Sequence, residues 1–128
     1  MTASKNLLDG TERKGGTMPH YMFQGNYTGE AIQKLVARPE DRSEAASKLA
    51  KSLGGKLREY FMSFGEHDFV AIVELPDDEA AATMSFAVSA AGHIVNTRTT
   101  KLLAPSEAMK AMAKAGGSKA LIKGPKGK

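Results

Sequence analysis

Cysteine is absent from the 128 residues, which excludes a disulfide framework, a thiolate metal site and a cysteine nucleophile. The absence fits a reducing compartment, so a cytoplasmic protein is the expectation, while cysteine-free exported proteins also exist. Met1 to Thr17 is polar and lacks the hydrophobic stretch of a signal peptide, so export through one is not expected. No run approaches the ~18 apolar residues of a membrane span, so no membrane partner is expected. The glycines stand at turns without the spacing of a phosphate loop, and neither an HExxH run nor a Cys/His pair is present. No metal and no cofactor are therefore implied. The length suits one domain rather than two, and folding at this size buries roughly two-thirds of the unfolded surface, enough for a core without staples.

The net charge of +4 is unevenly spread. Residues 1–17 carry three basic and two acidic side chains, residues 18–104 nine and eleven, and residues 105–128 six and one. The positive charge lies in the tail and the folded part is slightly acidic. A nucleic-acid-binding domain carries its basic patch on the domain itself, so no specific nucleic acid is expected. The tail lysines read as a solvated, solubilising segment.

Residues 1–17, with Asp9-Gly10 and Gly15-Gly16, show no sustained periodicity and read as a disordered extension. Two readings of it stay open: a genuine arm, or an upstream start ahead of Met18. His20–Tyr27 alternates, with Tyr21, Phe23 and Gly25 on one face and His20, Met22 and Gln24 on the other, and predicts a strand. Thr28 can cap a helix carrying Ile32, Leu35 and Val36, which Arg38-Pro39 interrupts. Pro39 suits the first turn of a second helical piece. There Ala46, Leu49, Ala50 and Leu53 form a stripe that Gly54-Gly55 ends.

Lys56–Phe64 and Asp68–Leu75 read as strands joined by Gly65-Glu66-His67, a hairpin-length connection. The second is almost wholly apolar, which predicts a central strand buried on both faces. Pro76-Asp77-Asp78-Glu79 is a helix start whose acids favour the positive helix end. Ala80, Met84, Ala87, Val88 and Ala91 supply that helix's apolar face, and Gly92 stops it. His93–Leu103 is a final, β-branched strand. From Pro105 one more short helix is expected, with Met109 and Met112 on one side as packing residues. A Gly/Lys flexible tail follows beyond Gly116-Gly117.

The order βαββαβ predicts an α+β, ferredoxin-like layer: a four-stranded antiparallel sheet with the helices on one face. The first and third strands lie in the centre and the second and fourth at the edges. The open face then carries Met22, Gln24, Val70 and Ile72, with Ile94, Asn96, Arg98 and Leu102 on the last strand. That mixture is too apolar for a solvated face, and exposed apolar surface marks a partner. Self-association through the open face, enclosing a partly polar cavity between two sheets, is the expectation. RNA-recognition modules share this strand order, but Val70 and Ile72 stand where stacking rings would be needed.

Several runs together resemble the GYD domain family, named for a glycine, tyrosine, aspartate signature at the hairpin. They are Tyr27-Thr28-Gly29 with Ile32, Leu53-Gly54-Gly55-Lys56, Gly65-Glu66-His67-Asp68 with the strand to Glu74, the helix start Pro76 to Ala81, and Arg98-Thr99-Thr100. The resemblance covers residues 18–104, and His67 replaces the signature tyrosine. It implies a ferredoxin-like fold of the dimeric α/β-barrel kind and brings no established reaction with it.

One constellation follows from the expected layout, in which the starts of the first and third strands and the end of the fourth share an edge. His20, Asp68 and Thr100 would approach one another there, with Gln24 and Arg98 further along the same face. A histidine beside a carboxylate suits a proton shuttle, which makes His20, Asp68 and Arg98 the catalytic candidates. Gln24, His67 and Thr100 are the ligand-binding candidates. The plainer alternative is that Asp68 accepts backbone hydrogen bonds in the hairpin and His20 is simply exposed. His93 begins the fourth strand at the far end from His20, so the three histidines should not converge on a metal. Two functions stand side by side: a homo-oligomeric module binding a small molecule or a partner without catalysis, and a cofactor-independent enzyme, monooxygenase-like or isomerase-like, working between sheets. The second rests on a fold-level analogy.

Overall fold

A computed structural model of the chain describes residues 18–126. The expected extension over 1–17 lies outside the described residues. The elements are β1 (His20–Tyr27), α1 (Gly29–Ala37), α2 (Ser43–Ser52), β2 (Lys56–Met62), β3 (Phe69–Glu74), α3 (Asp78–Ala90), β4 (Ile94–Leu102) and α4 (Pro105–Ser118), with a 3-10 turn at Lys119–Leu121. Four strands form one antiparallel sheet in the order β2-β3-β1-β4. That is the ferredoxin-like α+β layout, with β1 and β3 in the centre.

Local chemistry sets most boundaries. The Thr28 hydroxyl accepts the Ala31 N–H at 3.1 Å and opens α1, and the Asp77 carboxylate does the same for Ala80 at 2.9 Å ahead of α3. Helix α2 ends in a Schellman arrangement, Gly54 N–H to Lys51 and Gly55 N–H to Ala50, with Gly54 at φ +84°. Two helix limits differ from the sequence reading. Pro39 lies outside α2, whose start is fixed instead by Asp41, the acceptor of the Ser43 N–H and hydroxyl. Helix α4 runs through Gly116-Gly117, because neither glycine takes the positive φ that would end it.

The core lies between the sheet and helices α2 and α3. Tyr21 and Phe23 from β1, Ala71 and Val73 from β3, and Leu75 just beyond it pack with Ala50, Ala81 and Met84. Val73 and Leu75 are fully buried, each worth about 1.5–3 kcal/mol relative to exposure. Helix α1 buries no residue.

Strand β3 departs from the expected two-sided burial. Phe69, Ala71 and Val73 are buried, whereas Val70 and Ile72, on the open face, are only half-buried. Two bulges shape the outer strands. On β2 the register runs from Leu57 opposite Val73 to Glu59 opposite Ile72, so Arg58 is an extra residue. Beyond it the alternation inverts, and Tyr60 faces the helices instead of the open side. On β4 the register runs from Arg98 opposite Gln24 to Val95 opposite Asn26, with Asn96 at φ +59°. The extra residue moves Ile94 opposite Tyr27, onto the helix face. This corrects the open-face placement of Ile94, and Val95 stands on the open side instead.

Candidate functional site

The expected constellation does not assemble. The sheet is antiparallel, so the start of β3 lies at the end of β1: the Asp68 N–H donates to the Gly25 carbonyl and its carboxylate accepts the Tyr27 N–H, at 2.8 and 2.9 Å. His20 stands at the opposite end of β1, roughly 16 Å from Gly25 at the strand rise per residue. Its cross-strand partner is Glu74, with Nε2 3.5 Å from a carboxylate oxygen that also lies 3.3 Å from the Arg58 Nε. The juxtaposition of His20 and Asp68 is therefore corrected: His20 faces Glu74, and Asp68 holds backbone.

Gln24 and Arg98 are brought together, as direct partners across β1 and β4, and Thr100 lies one step along, opposite Met22. All three share the open face, where Gln24 is half-buried and Arg98 and Thr100 are exposed. His67 sits in the hairpin, half-buried, with its carbonyl accepting the Ser63 hydroxyl at 2.6 Å. Among the described residues no group of three or more His, Asp or Glu side chains is placed to hold a metal ion. No described helix is long and apolar enough to cross a membrane.

A different site lies on the other side of the sheet. Between the helices and β1, β3 and β4 is an apolar cavity of about 200 Å³. It exists because three elements present small side chains at the same place: Ala45 and Ala46 from α2, Ser85 and Ala87 from α3 with Ala91 just beyond it, and Ala71 from β3. Larger residues, Phe23, Leu49, Met84 and Val88, form the rest of the wall.

The polar end of this cavity is a cluster of rings and hydroxyls. The Tyr27 and Tyr60 hydroxyls are hydrogen-bonded at 2.8 Å. The Tyr60 ring stacks on Phe69 with centroids 5.7 Å apart and planes 1° from parallel, and Tyr27 tilts against the same ring. Burial first, and then the bond to Tyr27, push the Tyr60 phenol well above its ordinary value. Arg42, at the start of α2, lines the same end of the cavity as Tyr27 and Tyr60 and is bonded to Glu40. Glu40 is the main reason the guanidinium pKa is raised, against some desolvation and with a smaller contribution from Tyr27.

The sequence reading named none of these residues as functional. Tyr27 is legible as the last helix-facing position of an alternating strand. Tyr60 is not, because strict alternation from Leu57 sends it to the open face and only the bulge at Arg58 returns it.

Among curated proteins none matches the chain. Solved structures similar to it include MtbAldR, at 17% identity over 67% of this chain and 52% of that one, with a TM-score of 0.47. FFRP-DM1 is 18% identical over 67% of this chain and 100% of that one, with a TM-score of 0.42. TTHA0845 from Thermus thermophilus is 18% identical over 68% and 95%, with a TM-score of 0.45. The chain thus spans about half the length of MtbAldR, 52%. The family model of the GYD domain matches residues 21–112, and the chain belongs to that family.

Proposed function

We propose that this protein is a small-molecule-binding module without catalysis of its own, working in the cytoplasm as a self-associated pair. The observation that carries the binding half is the apolar cavity between the helical layer and the sheet. A packed interior leaves few voids larger than a water molecule, whereas ligand sites are concave, mostly apolar and equipped with a few placed polar groups. The Tyr27–Tyr60 pair and Arg42 are such groups. In this reading the ligand binds on the helix side of the sheet, within one chain, and the open face is left to the second copy. Val70, Ile72 and Met22 are half-buried there, and Phe61, opposite Val70 on β2, is 59% exposed. Apolar surface of that kind supports sheet-to-sheet pairing. The cofactor-independent enzyme reading needs an acid–base pair inside a pocket; Asp68 is at the far end of β1 from His20, and the pair that does form, His20 with Glu74, lines neither the cavity nor the grooves beside it, so the reading lacks that support.

Native mass spectrometry of the full chain, purified gently and sprayed from volatile buffer, tests both halves. The expected spectrum shows a dimer, with part of the population carrying a small additional mass that collisional heating releases. A monomer at every protein concentration removes the pairing. A bare chain that takes up no member of a metabolite library removes the binding.

A further inference from the structure

The two outer grooves beside the cavity suggest which ligand chemistry it suits. The first groove runs between α1 and the start of β4 and is lined by Lys34, Arg38, Arg42 and His93, with Glu30 and Glu40 as its acids. The second lies against β2, where Arg42 meets Tyr60 and Asp41. Arg42 lines the cavity and both grooves, and Tyr27 and His93 line the cavity and the first. The apolar interior therefore opens at a rim of cationic and hydroxyl groups. The three acids there have their own partners: Glu30 pairs with Lys34, Glu40 with Arg42, and Asp41 accepts from Ser43. Arg38 has no ion-pair partner among the described residues.

The hydroxyl pair also has donor capacity to spare. Two phenols hold two O–H groups and their mutual bond uses one. Either oxygen can be the donor of that bond, so the pair keeps one O–H to donate outward whichever way it runs. A guanidinium and a free phenol O–H side by side form a site for an acceptor carrying negative charge.

We infer that the cavity takes a small apolar carboxylic acid, with one ring or a branched chain among Phe23, Ala46, Leu49 and Val88 and its carboxylate at the rim formed by Arg42 and the Tyr27–Tyr60 pair. The size agrees, since a cavity of about 150 Å³ holds a benzene ring and this one measures about 200 Å³. Arg42 is 28% exposed in its side chain, so the charge it offers is partly shielded from water. The inference rests on the binding function proposed above and names its ligand class.

Benzoate and benzamide, equal in shape and different in charge, are the probes, titrated into the full chain and followed by amide NMR shifts. Benzoate is expected to bind at least about tenfold more tightly, since hydrogen bonds to a charged acceptor outweigh neutral ones by that much. Arg42→Gln should bring the two close to parity. Ala46→Phe should abolish both, with Val88→Phe as the second filling variant should the first fail to fold. Equal affinities in the wild type, both lost on filling, overturn the acid assignment and leave the binding module standing. Absence of binding by either probe, or binding that survives filling of the cavity, overturns both.

Discussion

Replacing Gly55, in the connection between α2 and β2, by alanine should damage this fold more than the same change at Gly54 or Gly29. A Cβ built at Gly55 stands 2.0 Å from the Glu74 carbonyl oxygen and 2.7 Å from the Leu75 Cδ2. Neither can yield cheaply. Glu74 is paired with Lys56 at the first position of the β2–β3 ladder, and Leu75 is fully buried. The obstacle is backbone against backbone, so no rotamer change relieves it and the α2–β2 connection must move away from β3. Overpacking typically costs 1–3 kcal/mol, and a clash this deep belongs at the upper end, about 3 kcal/mol. Two neighbouring glycines calibrate the figure. Gly54, at φ +84° with only Pro76 nearby, should lose about 1–2 kcal/mol as alanine through left-handed strain alone. Gly29, in the first turn of α1 with open space around it, should be neutral or gain up to roughly 1 kcal/mol. Urea unfolding at fixed protein concentration, which holds the contribution of self-association constant, is the assay. With a slope of about 2 kcal/mol/M for a domain of this size, Gly55→Ala should lower the midpoint by roughly 1.5 M. A midpoint for Gly55→Ala equal to or above that of Gly54→Ala would refute the close approach of α2 to β3. It would also unsettle the cavity, because α2 supplies Ala45, Ala46 and Leu49 to its wall.

Asp68→Ala leaves the Tyr27 N–H without its acceptor and should cost about 1–3 kcal/mol, while Asp68→Asn retains an oxygen and should cost less; equal losses in thermal denaturation would contradict that hydrogen bond's role. Tyr60→Phe tests the raised phenol. The folded chain keeps that proton above pH 10, the ordinary value, while the unfolded chain loses it, so the stability tied to it is complete below pH 10 and declines as the solution becomes more alkaline. Urea midpoints across the alkaline range should fall less steeply in the variant, and tyrosinate absorbance from Tyr60 at pH 10 would overturn the assignment. Asp77→Ala should lose about 1 kcal/mol by uncapping α3, and Asp77→Asn should restore most of it in the same denaturation assay.

The elements were largely legible because their determinants lie a few residues apart. Thr28 caps α1 as expected, α3 starts within the expected Pro76–Glu79 run, Gly54 and Gly92 stop the helices with positive φ, and β1 alternates over its whole length. The antiparallel directions of β1 and β3 also follow from the element order, since one crossover returns β2 parallel to β1 and the hairpin then reverses the chain. Placing Asp68 beside His20 missed that reversal. The apolar run of β3 suggests two-sided burial, yet Val70 and Ile72 are only half-buried, because composition does not say whether a second layer lies within the chain.

What the residue order decided by itself is the ferredoxin-like scaffold: periodicity, caps and turn glycines act through local bonds, and right-handed crossovers leave few ways to join four strands and their helices. What only the tertiary structure decided is the site. Bulges at Arg58 and beside Asn96 turn Tyr60 and Ile94 onto the helix face, and alanines from α2, α3 and β3 leave a common space that no one segment announces. Tyr27, Tyr60 and Arg42 then meet at its edge. Bulges, voids and such meetings depend on pairing between segments tens of residues apart, where a shift of one residue reverses which face a side chain occupies.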